Sequence, residues 1–216
     1  MIFRSSILGL SLVCASFFSS AYAALPCNGA RGKFTVNQDG SPGGFVANSA
    51  HVEKDQVGRN IPLIGEEVQV CDFARVLGHA IISGDAHIFD NAQVSGEAEV
   101  YGNSRVCENA KVYGKAQIYG DSRVYGDARV YGSARLYDNA KIFESAKVYG
   151  KAWVFGNAQV FDRARVYGNS RVSGNARIYG NARIYGNAQI YGDAIICGDI
   201  ISIFGDTEVA GDVRIS

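Results

Sequence analysis

The chain has 216 residues, with 21 Lys and Arg against 21 Asp and Glu, and its formal net charge at pH 7 is zero. This length is sufficient for one substantial domain. The balanced charge argues against a dedicated nucleic-acid-binding protein, because such proteins are usually basic overall.

Residues 1–23 have the features of a signal peptide. Arg4 supplies the positive charge, residues 7–18 form a short apolar run, and Ala21 and Ala23 form a small-x-small cleavage site. The apolar run is too short to span a bilayer. We therefore expect export to the periplasm or the extracellular space, removal of this segment, and no transmembrane segment in the mature chain.

Residues 24–63 lack a strict pattern, and we expect an N-terminal segment followed by an irregular capping coil. Turn-forming residues at 37–44 are expected to interrupt any strand there, leaving at most a short strand at 34–36. The phase of the later repeat first appears at Val46, so residues 46–63 are assigned to the irregular coil.

A six-residue repeat dominates the rest of the sequence. An aliphatic residue occupies every sixth position through residues 70–196, and each six-residue unit is close to V-Y-G-N-A-R. Position two is aromatic or small, position three is mostly Gly, position four is polar, position five is Ala or Ser, and position six is mainly Arg, Lys or Gln. We expect regular repeats over residues 64–201. The phase then slips by one residue to Ile203, which predicts a bulge near 201–202 and a C-terminal coil or cap over 202–216.

The period of six predicts a coil of short strands rather than a helix. Positions five and one are apolar and two residues apart, so both face inward along a strand, while positions six and two face outward. Positions three and four form a corner, where Gly accommodates a positive φ and Asn or Asp tolerates a turn. A strict period of six does not keep one face of a helix apolar. One such unit cannot bury its apolar side alone, so the units must stack as a solenoid.

The pattern resembles the hexapeptide-repeat family, in which an aliphatic residue, three looser positions, a small residue and any residue recur. Residues 166–171 are an example, with Ser170 as the small residue. The resemblance covers residues 64–196 strongly and 46–216 loosely. It implies an all-β fold, a single-stranded left-handed parallel β-helix of triangular section with about 18 residues per coil.

The residues that replace Gly at position three support a coil of this length. All but one of them fall on the same corner when the sequence is folded at about 18 residues per coil. The replacements are Asp72, Asp90, Glu108, Glu144 and Asp162 on that corner, and Asp138 on another.

Folding the sequence in this way also sorts the outward residues into columns. One column combines tyrosines with bases: Tyr113, Tyr131, Tyr149, Tyr167 and Tyr185 at position two, and Lys111, Arg129, Lys147, Arg165 and Arg183 at position six. One interpretation is a tyrosine ladder whose rings stack and shield the strand edges, with cation–π contacts within the face. The other is a binding platform, in which rings stack on a glycan or polyanion and cations attract it.

The cysteines allow few pairings. Cys71 and Cys107 are two coils apart, roughly 9.6 Å, which exceeds the Cα separation of about 7 Å that a disulfide tolerates. Cys197 is several coils further on, so none of these three pairs with another within one helix. Cys27 is expected to reach Cys71 and to pin the N-terminal segment, with intermolecular pairing as the alternative.

The acidic corner offers a candidate metal site. The carboxylates of Asp72, Asp90 and Glu108 could share a calcium ion. The alternative is a solvated corner, and the loop ligands of ordinary calcium sites are absent. We therefore expect no metal.

The family resemblance implies an acyltransferase, which would use acyl-CoA and a histidine base. The candidate bases are His51, His79 and His87, because an imidazole suits proton removal from an acceptor hydroxyl or amine. The alternative is three ordinary surface histidines. No long loop interrupts residues 64–196 to build a pocket, and export would separate the chain from cytoplasmic acyl-CoA.

The leading hypothesis is an exported, non-catalytic solenoid that needs no cofactor and presents tyrosine-rich basic faces for binding or assembly at the cell envelope. An acyltransferase is the alternative, and a calcium- or glycan-binding surface protein is the third. The open strand edges at both ends must be covered or used in self-association. We expect residues 24–63 to cover the first end, and residues 205–216 to fold over the second end unless it self-associates.

Overall fold

The computed structural model describes residues 26–54, 56, 58 and 61–216, so the expected signal peptide and cleavage site lie outside the described residues. A short 3-10 helix, Pro26–Gly29, precedes the strands. The strands in chain order are β1 Gly32–Val36, β2 Pro42–Ala47, β3 His51–Val52, β4 Leu63–Ile64, β5 Gln69–Val70, β6 Arg75–Val76, β7 Ile81–Ile82, β8 His87–Ile88, β9 Gln93–Val94, β10 Glu99–Val100, β11 Arg105–Val106, β12 Lys111–Val112, β13 Gln117–Ile118, β14 Arg123–Val124, β15 Arg129–Val130, β16 Arg135–Leu136, β17 Lys141–Ile142, β18 Lys147–Val148, β19 Trp153–Val154, β20 Gln159–Val160, β21 Arg165–Val166, β22 Arg171–Val172, β23 Arg177–Ile178, β24 Arg183–Ile184, β25 Gln189–Ile190, β26 Ile195–Ile196, β27 Ser202–Ile203, β28 Glu208–Val209 and β29 Arg214–Ile215.

Three successive strands make one coil and contribute one strand to each of three sheets. The first face is the 11-stranded sheet that contains β1, β2, β5 and then every third strand to β29. The second face is the 9-stranded sheet from β3 to β27, and the third face is the 9-stranded sheet from β4 to β28. Equivalent positions pair in parallel, as Arg105 does with Arg123. The chain is therefore the all-β parallel solenoid that the repeat predicts, with about 18 residues per coil.

The inward half of each repeat forms one continuous core along the solenoid. Ala134 and Leu136 are 0% exposed, whereas Arg135 between them is exposed. Backbone N–H groups of each coil donate to carbonyls of the next, as Tyr131 does to Val148 at 3.0 Å. This pattern satisfies the buried backbone while the aliphatic and Ala side chains leave water.

The corners adopt the left-handed conformation expected at position three. Gly132 has φ 73, and a Cβ there would lie 3.0 Å from the backbone N of Gly150. The acidic replacements also have positive φ, between 54 and 58. Their carboxylates accept hydrogen bonds from the next coil: Glu144 from the N–H of Asp162 at 2.9 Å, and Asp162 from the N–H of Gly180 at 2.9 Å. These charge-assisted bonds offset a conformational cost of about 1–2 kcal/mol for a non-glycine residue.

The N-terminal segment is more regular than the sequence predicts. The expected interruption is confirmed at residues 37–41, which form a turn after β1, but it is wrong at residues 42–44, because Pro42 begins β2, which pairs antiparallel with β1. Position 44 requires glycine because of close packing rather than because of a turn, since a Cβ there would lie 2.2 Å from the carbonyl oxygen of Val68. Proline is tolerated because it is the first residue of the strand.

Several contacts cover the first end of the solenoid. β1 covers the edge of the first face by pairing with β2. The side chain of Asn37 covers the edge of the third face, because it accepts from the N–H of Ile64 at 2.9 Å and donates to its carbonyl at 2.9 Å. Cys27 and Cys71 form the disulfide that the sequence predicts, with Cα atoms 5.4 Å apart. Within the described part of residues 24–63, these contacts cover the strand edges of the first and third faces, as expected for a cap.

The C-terminal residues continue the solenoid. Arg183 pairs with Ser202, one residue beyond the regular spacing, and Ile200 is 92% exposed beside this slip. The expectation that residues 205–216 fold over the end is wrong, because β28 and β29 pair in parallel with the preceding coil. Self-association through this end stays a prediction. None of the helices among the described residues has the length and apolar character that a membrane crossing requires.

Candidate functional site

The tyrosines of the second face form a continuous stack. Neighbouring ring centroids are 4.8 Å apart for Tyr113 and Tyr131, 4.9 Å for Tyr131 and Tyr149, 4.8 Å for Tyr149 and Tyr167, and 5.0 Å for Tyr167 and Tyr185, with planes within 6° of parallel. Phe204 extends the stack at 5.3 Å from Tyr185. The parallel register of the strands imposes this arrangement, since the column repeats at the strand spacing. We call these five tyrosines the tyrosine ladder.

Stacking changes what the ladder can offer to a ligand. Each interior ring has its two faces against neighbouring rings, so edges and hydroxyls, rather than ring faces, are left for contact. Burial raises the pKa of the Tyr131 and Tyr149 hydroxyls, and neighbouring tyrosines raise it further. Like an unperturbed tyrosine, whose pKa is about 10, both are O–H donors at neutral pH. The ladder is suited to donating hydrogen bonds along a line.

A row of bases runs beside the ladder on the same strands. Lys111 pairs in register with Arg129, and the row continues through Lys147, Arg165 and Arg183. We call these five residues the basic row. All are exposed except Lys147, which is half-buried. Across the described part of the chain, none of the five has a carboxylate within 4.0 Å, and the ion pair of this region joins Lys115 to Glu97 instead. The row is therefore a line of positive charge without direct neutralisation.

The cation–π contacts expected within this face lie elsewhere among the described residues. Trp153, on the third face, has the guanidinium of Arg135 at 5.2 Å and that of Arg171 at 5.1 Å from its ring. Arg177 lies 5.7 Å from the ring of Phe161 on the first face. The tyrosines of the ladder contact one another instead, which leaves the basic row available for a ligand.

The third face carries a hydrogen-bonded aromatic pair near its start. Tyr101 and Tyr119 stack at 5.2 Å, and the Tyr119 hydroxyl donates to Glu99 at 3.2 Å. Burial and the Glu99 charge raise the pKa of Tyr119 to about 12. Glu99 also accepts from Gln117 at 2.9 Å. The Glu99 carboxylate is thus hydrogen-bonded to two neighbours on the third face.

The first face carries a polar groove of about 1010 Å³, where the sequence predicts no pocket. Its lining includes corner residues such as Asp85 and Asp121 and strand residues such as His87, Arg105 and Arg123. The groove needs no inserted loop, because long side chains at positions four and six stand beside each other on successive coils. The lack of a long inserted loop between residues 64 and 196 therefore does not exclude a pocket.

The candidate histidines are not brought together. His51 is exposed on β3 of the second face, His79 is exposed at a corner, and His87 is half-buried in the groove of the first face. Burial lowers the pKa of His87, Arg105 lowers it further, and Asp85 opposes the change. His87 therefore lies in the groove with a pKa below its usual value, so its imidazole is neutral at neutral pH.

The acidic corner has a structural explanation. Asp72 accepts from the N–H of Asp90 at 3.2 Å, and Asp90 accepts from the N–H of Glu108 at 3.0 Å. Burial raises the pKa of Asp90, and the charges of Asp72 and Glu108 raise it further, against the backbone hydrogen bond. In the part of the chain that the structure describes, no three His, Cys, Asp or Glu side chains are grouped to hold a metal.

Comparison with known proteins supports the repeat architecture. The sequence model of a family described as "YdcK Beta solenoid repeat" matches residues 116–132, 122–138, 158–174 and 176–189. These segments cover less than half of the chain, and they include ladder strands β15, β21 and β24. No curated protein matches the chain. The match and the fold together show a β-solenoid repeat protein.

Proposed function

We propose that this protein is a non-catalytic, exported β-solenoid whose second face binds a linear anionic glycan of the cell envelope. The observation that carries the proposal is the basic row: five cations in register beside five tyrosine rings, without a carboxylate partner among the described residues. The features of residues 1–23 support export. Binding of this kind needs no cofactor.

The electrostatics of the row favour an anionic ligand. Like charges at the strand spacing of about 4.8 Å repel by on the order of 1 kcal/mol per pair even in bulk water. A ligand that places an anion over each cation removes this repulsion and adds attraction. Salt must weaken the complex, because the charges are exposed.

The hydroxyls beside the row favour a ligand rich in acceptors. Tyr131 and Tyr149 are protonated at neutral pH, because a tyrosine hydroxyl ordinarily has a pKa of about 10 and burial raises theirs further. A carboxylate can therefore accept from a hydroxyl and pair with a cation of the same strand. A linear polyuronate has one carboxylate and several acceptor oxygens on each sugar, and it combines both requirements.

The shape of the site favours an extended chain. The row spans five strands from Lys111 to Arg183, a distance of about 19 Å at the strand spacing. The edges of the ladder rings form a regular row beside it, because the rings are stacked in parallel. A long, narrow ligand that lies along the solenoid axis meets every strand of the row.

Polygalacturonate is the probe that tests this proposal, and neutral dextran is its control. We expect R129Q/K147Q/R165Q to weaken polygalacturonate binding about tenfold or more, measured by calorimetry at low salt. The matched control is R105Q/R123Q/K141Q, which removes three cations from successive strands of the first face and should leave binding nearly unchanged. Equal losses in both variants, or equal binding of dextran by the unmodified protein, would overturn the proposal.

One observation favours acyl transfer as a second candidate function. His87 lies in the groove with a lowered pKa, so its imidazole can accept a proton near neutral pH. If the groove binds acyl-CoA, acetyl-CoA should raise the melting temperature, and H87Q should remove the acetyltransferase activity towards an added sugar. No stabilisation by acetyl-CoA would exclude this candidate.

A further inference from the structure

The aromatic column of the third face lacks one ring. Tyr137 and Phe155 stack at 4.8 Å with planes within 11°. The next position of the column, directly after β22, is Ser173, and the position after it, directly after β25, is Tyr191. Ser173 therefore occupies the place of a ring between two aromatic residues.

The width of this gap follows from the strand register. Phe155 and Tyr191 are two strands apart, about 9.6 Å at the strand spacing. The rings of this solenoid stack at single steps of 4.7–5.3 Å. One added ring in the gap would thus have an aromatic neighbour at a normal stacking distance on each side. The space suits one ring and is too narrow for two.

The side chains that border the gap are available for a ligand. Ser173 is half-buried and Tyr191 is 37% exposed. Phe155 is stacked on Tyr137, and no ring contact occupies Tyr191 within the described residues. The Tyr191 hydroxyl is held by Glu208, which fixes one point of that side chain.

A second missing ring on the first face shows the contrast. Cys107 stands between Phe89 and Tyr125 in the corresponding column, but its side chain is 0% exposed. Cys107 is disulfide-bonded, so that position is occupied, whereas the half-buried Ser173 leaves its position open to solvent. Only the gap at Ser173 therefore offers access among these two.

A cation lies beside the open gap. Arg171 is in β22 and Ser173 directly follows that strand, and alternation along the chain places both side chains on the same outward side. Its guanidinium is over the ring of Trp153 at 5.1 Å, and no carboxylate of the described chain lies within 4.0 Å of it. Arginine binds carboxylates in a planar, two-pronged geometry. The gap thus combines two ring faces with one anion partner.

We propose that the gap at Ser173 binds a small aromatic carboxylate, with its ring between Phe155 and Tyr191 and its carboxylate on Arg171. This site is on a different face from the basic row and is independent of the glycan-binding proposal. The simplest probe is phenylacetate. Phenylacetamide lacks the charge and cyclohexaneacetate lacks the planar ring, so each removes one of the two features.

Trp153 provides an internal reporter, because it is the one Trp of the sequence and contacts Arg171. Phenylacetate should change its fluorescence saturably, and calorimetry should give about tenfold weaker binding of phenylacetamide and of cyclohexaneacetate. R171Q should weaken phenylacetate binding by a similar factor in calorimetry, which does not depend on the reporter.

The variants at the gap decide between a binding site and a nonspecific effect. S173Y places a ring in the gap and should abolish phenylacetate binding while polygalacturonate binding is unchanged. S173A keeps the gap open and should retain binding. S95Y adds a tyrosine before the tyrosine ladder of the second face and is the matched control for the added ring; it should also retain binding. Unchanged binding in S173Y, equal loss in S173A, or no saturable change in the unmodified protein would overturn the proposal.

Discussion

Three serines replace Ala at the inward position five, and one of them predicts a stabilising substitution. The Ser104 hydroxyl donates to the carbonyl of Tyr101 at 2.7 Å, and the Ser170 hydroxyl donates to that of Tyr167 at 2.8 Å. The Ser122 hydroxyl is fully buried and has no hydrogen-bond partner within the described part of the chain. We therefore expect S122A to stabilise the protein.

The magnitude follows from the cost of an unpaired polar group. A buried hydroxyl without a partner costs about 1–3 kcal/mol. Alanine fills the same position in most coils with 0% exposure, so the substitution introduces no new shape into the core. After allowance for the dispersion contacts of the lost oxygen, the free energy of unfolding should rise by about 1 kcal/mol. For a chain of this size, the melting temperature should rise by about 2–4 °C.

Thermal and urea denaturation of S122A and S104A form the matched assay. S104A loses a satisfied hydrogen bond, and its free energy of unfolding should fall by about 0.5–1.5 kcal/mol. The two substitutions are chemically identical and both lie in the same column of coils, so their difference isolates the hydrogen bond. If S122A destabilises the protein as much as S104A does, the Ser122 hydroxyl is satisfied and the reasoning is refuted.

Three further predictions concern the corners, the cap and the groove. In urea denaturation, the free energy of unfolding should fall about 1–2 kcal/mol further in G132A than in G205A. Both glycines have positive φ, but only at Gly132 would a Cβ meet the next coil, at 3.0 Å. Equal losses in the two variants would contradict the steric part of this explanation. Reduction of the disulfide of Cys27 should expose β1 and β2 to hydrogen exchange before the central coils, because the bridge pins the cap; simultaneous exposure of all coils would contradict this. The pKa of His87 lies below its usual 6.5 because of burial and Arg105, so the stability that neutral His87 contributes is present above pH 6.5 and is lost as the pH falls below it. H87Q should flatten this pH dependence of the melting temperature. An unchanged slope would contradict the assignment.

The inward half of the solenoid could be predicted from sequence because its pattern is periodic. The buried positions of each repeat follow from alternation along a two-residue strand, as for Ala134 and Leu136 around Arg135. The structure of the N-terminal segment, in contrast, depends on individual residues that follow no repeat. Gly44 is required by a close approach to Val68, a contact that sequence spacing does not reveal.

The candidate site could be predicted in its composition, but only in part in its contacts. The columns placed the tyrosines and bases on one face, as the structure shows for Tyr131 and Arg129. The stacking of the rings on one another is one of the two interpretations of the sequence and is confirmed, whereas the contacts of Arg135 and Arg171 with Trp153 depend on side-chain torsions that the repeat does not specify. The hydrogen bond from Gly180 to the Asp162 carboxylate depends on the direction of a side chain towards the next coil. The repeat therefore determines which face each side chain lies on, whereas packing between coils determines which groups each side chain contacts.

The most direct test of glycan binding is the dependence of affinity on ligand length. Oligogalacturonates of increasing length should bind with increasing affinity until the chain spans the basic row, about 19 Å from Lys111 to Arg183. Beyond that length, the affinity per oligomer should reach a plateau apart from a small statistical gain. An affinity that is independent of length, or the same length dependence in R129Q/K147Q/R165Q, would contradict the assignment of the second face as the binding surface.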